Sequence, residues 1–220
     1  MKIEIRSTGD GSNTIYLPHL DETYHSTHGA VQEANHVFIE HGLRFFPKSD
    51  LRIFELGFGT GLNAILTFIE AGASGRTIEY TGIEAFPIDL EIAQLMRYER
   101  LIGEQWKENF ELLHTLPWNE VHVIHPQFSF RKVVQKMEDF IVEHNKFDIF
   151  FFDAFGPRVQ GELWQPAILE KMHAMLKVGG FLVTYCAMGQ FKRDLKAIGF
   201  EIEVLPGPPG KREMTRAFKF

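Results

Sequence analysis

The chain has 220 residues, 45% apolar and 24% charged, with a formal net charge of −6. Such values describe an ordinary globular chain, long enough for one full core. A single cysteine, Cys186, excludes an internal disulfide and a cysteine-cluster zinc site. No apolar run suits a membrane span or a secretory leader, so the expected compartment is the cytoplasm.

In chain order, Lys2–Arg6 and Thr14–Leu17 flank a GDGSN turn and predict a hairpin. Gly29–His41 reads as a helix, with Ala30, Ala34, Val37, Phe38 and His41 on one side. Residues 1–45 are therefore read as an N-terminal extension and 46–220 as one compact domain. From residue 51 onward, strand-like and helix-like segments alternate. Strands are predicted at Arg52–Leu56, Glu79–Glu84, Val121–His125, Asp148–Phe152 and Phe181–Tyr185. Helices are predicted at Leu62–Gly72, Pro87–Arg100, Phe130–Glu143, Pro166–Leu176 and Gln190–Ile198, with Gly72 and Gly199 just past helix ends. Alternation of this kind predicts an α/β fold with a mostly parallel sheet. Glu201–Leu205 and Met214–Phe220, on either side of a GPPG turn, predict a closing antiparallel pair.

The stretch Phe54-Glu55-Leu56-Gly57-Phe58-Gly59-Thr60-Gly61-Leu62-Asn63 lies between a predicted strand and a predicted helix. Glycine there lets backbone approach a ligand, and a helix start offers unpaired N–H groups. A dinucleotide fingerprint wants its third glycine one place later, where Leu62 stands. An acid (Glu55) before Gly-x-Gly-x-Gly is instead the pattern of S-adenosylmethionine-dependent methyltransferases. A turn that binds nothing is the alternative. Glu55, Gly57, Gly59, Gly61, Leu62 and Asn63 are the candidate cofactor residues of this segment.

Ligands of such sheets lie beyond the carboxyl ends of the strands. The residues expected there are the glycine loop, Glu84, Pro126-Gln127 and Asp153. Glu84 lies 23 residues past Gly61, at the distance of an acid that accepts hydrogen bonds from ribose hydroxyls. The other reading is an exposed strand-end acid. Asp153 follows the apolar run Phe147–Phe152 and precedes Ala154-Phe155-Gly156-Pro157. A carboxylate leaving a buried strand is costly unless something uses it. With Phe155 beside it, Asp153 suits methyl transfer to an amine, where positive charge grows on nitrogen as the methyl arrives. A capping role in the following turn is the alternative.

His25, His28, His36 and His41 lack the spacing of a metal site, so no metal is expected, and Cys186 reads as buried and inert. Charge is uneven: Met188–Phe220 carries +3 and the remainder −9. That basic segment suits an anionic substrate or is merely solvated. Within it, Lys211 and Arg212 either clamp phosphates or decorate a turn.

Together, TYHSTHGAVQEANHVFIEHGL, ELGFGTGLN, YTGIEAFP, FFFDAFGPRVQGELW, GGFLVTYCAMG and GFEIEVLPGPPGKREM resemble the family formed by the methyltransferase domain of MnmC and its stand-alone relative MnmD. The resemblance runs from Tyr24 to Met214. It implies a Rossmann-like class I methyltransferase with a mostly parallel seven-stranded sheet and an antiparallel C-terminal strand. It further implies S-adenosyl-L-methionine as donor and N-methylation of a 5-aminomethyl, commonly 2-thio, wobble uridine in tRNA. By matching positions, Asp153 and Phe155 meet the target amine, Glu84 meets the ribose, and Tyr24, Ser26 and Glu33 line the cofactor or substrate entrance. Lys211 and Arg212 face RNA, with Lys192 and Arg193 as further cations. Relatives commonly carry an acid where Gln127 stands, to contact the adenine amino group, and often a base where Met188 stands. The glutamine carbonyl can still accept that bond. The chain ends at Phe220, so neither the family's oxidase domain nor its FAD is expected. A monomer working beside a separate amine-forming enzyme is the expected arrangement.

Rival readings on the same fold are a small-molecule or protein amine N-methyltransferase and an aminopropyltransferase. A non-catalytic RNA- or cofactor-binding module is the rival of another class. An NAD-dependent oxidoreductase is disfavoured by Leu62.

Overall fold

The computed structural model describes residues 2–220. The chain opens with β1 (Glu4–Ser7), β2 (Asn13–Leu17) and β3 (Glu22–Thr23), a small antiparallel sheet. Asp10 holds its turn: Oδ1 accepts from Thr8 Oγ1 and the Ser12 N–H, while Oδ2 accepts the Gln32 N–H at 2.9 Å. That last bond ties the hairpin to α1 (Ala30–Ala34), which runs on into π-helical turns over Asn35–Leu43.

The body alternates β4 (Asp50–Leu56), α2 (Leu62–Ser74), β5 (Thr77–Glu84), α3 (Leu90–Gln94), α4 (Glu99–Ile102), α5 (Lys107–Thr115), β6 (Val121–His125), β7 (Phe128–Val134), β8 (Phe147–Phe152), α6 (Pro166–Met175), β9 (Leu176–Thr184), α7 (Gly189–Ile198), β10 (Phe200–Pro206) and β11 (Glu213–Lys219). The main sheet has eight strands in the order β10-β11-β9-β8-β4-β5-β7-β6. β7, β5, β4, β8 and β9 are parallel, whereas β6, β11 and β10 run against their neighbours. The expected α/β architecture and closing antiparallel pair are present, with one strand more than the seven expected.

The extra strand is β7, and it corrects the reading of that region. Phe130–Glu143 was expected as a helix, and Val121–His125 as a parallel strand ending at Pro126-Gln127. Instead Pro126-Gln127 is a two-residue hairpin loop that sets His125 opposite Phe128, and β7 supplies the parallel strand. Phe128, Phe130 and Lys132 are buried in period-two alternation, the repeat of a strand. Elsewhere, Pro87–Arg100 is broken into α3 and α4 by Arg97, whose φ is +55°. α2 runs through Gly72 and stops at Gly75, which takes the left-handed conformation.

Apolar side chains fill both faces of the sheet. One core joins β2, α1, the π-helical turns, α2 and α5 to the sheet, so the first 45 residues share the body's interior. The other joins α6, α7 and Met137–Phe140 to the opposite face. β8 is buried on both sides along its whole length, the signature of a central parallel strand. Phe150→Ala would cost about 3–5 kcal/mol. No helix among the described residues is long and apolar enough to cross a membrane.

The two ends of β8 carry acids. At its amino end Asp148 is 1% exposed and saturated: Oδ2 accepts the Arg52 N–H at 2.9 Å and Lys177 Nζ at 2.7 Å, and Oδ1 accepts Lys48 Nζ at 3.3 Å. Asp153 follows the carboxyl end, where the site lies.

Candidate functional site

The carboxyl ends of β4, β5, β7 and β8 surround a cavity of about 350 Å³, within the range of small-ligand sites. Its first wall is the glycine loop. Gly57 has φ +94°, and a Cβ there would sit 2.3 Å from the Asp153 carbonyl oxygen. Only glycine lets these two strand ends approach so closely. The Gly57 and Phe58 N–H groups both donate to the Ile83 carbonyl, joining the loop to β5. Gly61, just before α2, offers no side-chain cap, so the first N–H groups of that helix are left for water or a ligand.

Glu84, just past the core of β5, is held by its backbone neighbours. Oε2 accepts the Gly59 N–H and Oε1 the Phe86 N–H, both at 2.9 Å. Each oxygen keeps a lone pair, so the carboxylate can still receive a vicinal diol.

Asp153 borders the cavity beside Phe155. Its own N–H bonds the Leu56 carbonyl, and Oδ2 accepts from Asn63 Nδ2 at 2.8 Å. Burial, reinforced by the negative charge of Glu33, pushes its carboxyl up to about 7; the Asn63 hydrogen bond and Lys211 oppose the rise. Phe155 is fixed through its backbone, with N–H to Gln160 Oε1 at 3.0 Å and C=O from Trp164 Nε1 at 2.8 Å. Tyr24 meets the Phe155 ring edge-on at 5.1 Å between centroids. Burial, with the Glu84 charge, pushes the Tyr24 phenol up to about 12, so it stays protonated.

The N-terminal segment completes the wall. His25 lies near the Thr60 and Tyr98 hydroxyls, which bond each other at 2.9 Å. Burial lowers the His25 imidazole to about 4 and leaves it neutral. His114, from α5, meets the Thr60 carbonyl at 3.0 Å and steadies the loop from behind.

Beyond the Ala154–Pro157 segment an open groove of about 540 Å³ is lined by Pro157, Tyr185, Met188, Lys211, Arg212 and their neighbours. The Tyr185 hydroxyl donates to the Ala154 carbonyl at 2.8 Å, so this ring and that segment separate groove from cavity.

Of the residues expected from sequence, Tyr24, Gly57, Gly59, Leu62, Asn63, Glu84, Asp153 and Phe155 line the cavity. Others stand elsewhere. Glu55 is 0% exposed, beneath the floor, and touches Asn63 rather than the cavity. A Cβ on Gly61 would meet His114 Nε2 at 2.9 Å, so that glycine serves packing against α5. Gln127 corrects the sequence reading: the reversed direction of β6 puts it at the amino edge of the sheet, where its carbonyl accepts the Ile78 N–H. Glu33 lies behind the wall, accepting the Ser26 N–H at 3.0 Å and Lys211 Nζ at 2.6 Å. Lys211 thus turns inward, with Nζ 3.7 Å from the Tyr185 ring centre. Lys192 pairs with Glu213 at 3.3 Å and Arg193 bonds Gln190. Arg212 is 93% exposed.

Sequence reasoning missed His25, Thr60 and the segment Gln135–Glu138, which line the cavity too. For Gln135–Glu138 a signal existed: two apolar runs separated by Pro126-Gln127 spell a hairpin, whose return strand ends at Val134. His25 and Thr60 are joined by tertiary packing, which spacing does not show.

A family model described as S-adenosyl-L-methionine-dependent methyltransferase matches residues 100–220. Among curated proteins, the tRNA 5-methylaminomethyl-2-thiouridine biosynthesis bifunctional protein MnmC of Cupriavidus metallidurans is 29% identical, over 93% of this chain and 32% of its own length. The protein of the same name from Cupriavidus necator is 30% identical, over 92% of this chain and 32% of its own length. The chain therefore spans about a third of the relatives it matches. Among solved structures, MNMC2 from Aquifex aeolicus superposes with a TM-score of 0.75 at 22% identity, covering 99% of this chain and 70% of that one. That likeness shows the fold.

Proposed function

The chain belongs to the S-adenosyl-L-methionine-dependent methyltransferases, and from that premise we propose that it N-methylates the 5-aminomethyl group of wobble uridine, commonly 2-thiouridine, in tRNA. The proposal places it in the cytoplasm, beside a separate activity that makes the amine. The single observation that carries it is Asp153: a half-buried carboxyl group on the cavity wall, beside Phe155, with one oxygen bonded to Asn63 and no cation among the described residues in contact.

The residues present fit the methyl donor. Glycine backbone at Gly57 and Gly59 leaves room for close approach, Glu84 presents oxygens to ribose hydroxyls, and Tyr24, Phe58 and Phe155 offer apolar surface. When bound, the donor supplies an electrophilic methyl group on a sulfonium sulfur.

This chain's residues do the rest. An alkylamine has a pKa of about 10, so it arrives as an ammonium and must lose a proton before its lone pair can react. Asp153 is suited to accept that proton, because burial has already lifted its carboxyl to about 7. After passing that proton to solvent, Asp153 is a carboxylate again, and its Oδ1 orients the remaining N–H bonds. As the nitrogen becomes positive, the carboxylate nearby is attracted more strongly, which favours the transition state over the ground state. Tyr24 and Phe155 exclude water from that point. On this reading the groove beyond Tyr185 receives the nucleotide, and exposed Arg212 meets a phosphate.

The test is nucleoside mass spectrometry of tRNA bearing 5-aminomethyluridine after incubation with protein and S-adenosyl-L-methionine. A nucleoside heavier by one methylene supports the reading. Cofactor binding without any such product, or methylation of free alkylamines in preference to tRNA, would refute it.

A further inference from the structure

Beneath the cavity floor lies a hydrogen-bond chain that the chemistry above leaves unused. The Asn63 amide nitrogen donates to Asp153 Oδ2 at 2.8 Å and to Glu55 Oε1 at 2.9 Å. Its hydrogens are thus spent on two acids. The other ends of this chain, Glu55 Oε2, Asn63 Oδ1 and the Tyr80 hydroxyl, are buried with no partner at hydrogen-bond geometry among the described residues, the Tyr80 hydroxyl lying beside Glu55.

An amide has a donating and an accepting end of nearly the same size. If Asn63 turned over, its carbonyl oxygen would face Asp153, acceptor against acceptor. One acid alone holds the amide by one hydrogen bond. A second acceptor on the same nitrogen makes the turned-over state lose both bonds together. Glu55 Oε1 is that second acceptor, and β4 carries it there at 0% exposure. Replacing Glu55 by a hydrocarbon of the same length would fill the space yet release the amide.

We propose that Glu55 is a positioning residue for methyl transfer: by accepting one Asn63 N–H it holds the other on Asp153 Oδ2, which leaves Asp153 Oδ1 for the incoming amine. The methyl-transfer part of this statement rests on the function proposed above; the hydrogen-bond part does not. The surroundings of Glu55 favour its neutral form. Full burial, with the negative charge of Asp153 adding to it, pushes its carboxyl well above the usual carboxylate range, while hydrogen bonding opposes. A neutral carboxyl carries a hydrogen that can be given to one of the partnerless oxygens nearby. Asp153 feels Glu33 from α1 and Lys211 from the β10–β11 turn, and it acts on Glu55 and on the phenols of Tyr80, Tyr98 and Tyr185. Burial pushes all of those phenols up, so they stay uncharged near neutrality.

The sign of one measurement separates positioning from simple charge. Protein labelled with 13C at aspartate carboxyls is titrated by NMR without substrate, and Asp153→Asn identifies the signal. In Glu55→Met, Asp153 loses a donor and its titration should move up by about one pH unit. Glu55→Gln retains a carbonyl acceptor and should restore the midpoint of the unaltered protein. With aminomethyl tRNA, Glu55→Met should lower single-turnover rate ~10–100-fold and raise the acidic limb of its pH profile. Glu55→Gln should recover most of that loss. A midpoint that does not move in Glu55→Met overturns the proposal, and one that moves down shows Glu55 acting as a charge. Should Glu55→Met fail to fold, Asn63→Leu removes the donor directly and should give the same upward movement. Adding Glu55→Gln to it should change nothing, and a further shift would overturn the coupling. Because the titration needs no tRNA, a wrong substrate and a wrong positioning role give different results.

Discussion

Asp148 and Asp153 bracket the same buried strand and live under opposite electrostatics. At the amino end Asp148 takes a backbone N–H and two lysines, and its charge is fully answered. At the carboxyl end Asp153 takes one amide nitrogen, shares its surroundings with Glu33, and is pushed up to about 7. The first acid fastens β8 to β4 and β9. The second has unmet demand for a hydrogen-bond donor and a positive charge, which an ammonium supplies. On the proposed function, one strand separates stability from chemistry by the length of six residues.

The comparison breaks most sharply at Asp153→Asn. Single-turnover methylation should fall by ~10²–10⁴-fold, with calorimetric affinity for S-adenosyl-L-methionine within a few-fold. A rate that does not change would remove Asp153 from the chemistry. Asp148→Ala should do the converse. It leaves the Arg52 N–H without its acceptor and should cost ~1–3 kcal/mol in denaturant unfolding, with cofactor affinity unaltered. Cofactor affinity falling in step with stability would join the two ends that the structure keeps apart.

A subtler prediction concerns pH. An acid raised from 3.8 to about 7 in the folded state stays protonated while its unfolded counterpart ionises. The contribution of Asp153 to stability is therefore fullest below pH ~4, lost progressively up to pH ~7, and flat above. Asp153→Asn should remove that decline, so its melting temperature should gain on the parent most at pH 8. A parallel offset at every pH would contradict the raised value. The smallest effect is reserved for two glutamines at opposite ends of β7. Gln135→Ala, on the cavity wall, should weaken cofactor binding ~2–5-fold, about the loss of one hydrogen bond. Gln127→Ala, at the amino edge, should leave it unchanged. Equal losses would mean that the edge assignment is wrong.

These glutamines also mark where the sequence is legible and where it is not. Around β4, β5 and β8 the strands are apolar runs closed by glycine or an acid, so strand, direction and strand end can all be read, and Glu84 and Asp153 lie where that reading puts them. At β6 and β7 a two-residue loop reverses the chain, and the spaced apolar residues from Phe128 to Phe140 serve a strand and then a 3-10 turn. Their mixture of spacings resembles a helix. That misreading put Gln127 in the place held by Gln135–Glu138. α5 escaped notice because only Phe110 and Leu113 are buried on it. The inward turn of Lys211 and the depth of Glu55 were equally illegible. A charge in a sequence does not say which way its side chain faces, and only packing decides that.

The Glu33–Lys211 pair, at 2.6 Å, joins positions 178 residues apart. Next to it Gly210 packs so tightly on His28 that a Cβ would come within 2.2 Å of the ring. The cover over the glycine loop is thus made early and fastened late. A ribosome releases Tyr24 and His25 long before the clasp that seats them, so a growing polypeptide owns every segment that lines the cavity while lacking the piece that shuts them in. Competence for the methyl donor should consequently appear only once the Pro208–Arg212 turn has been made, and proteolytic nicking of that turn would undo it.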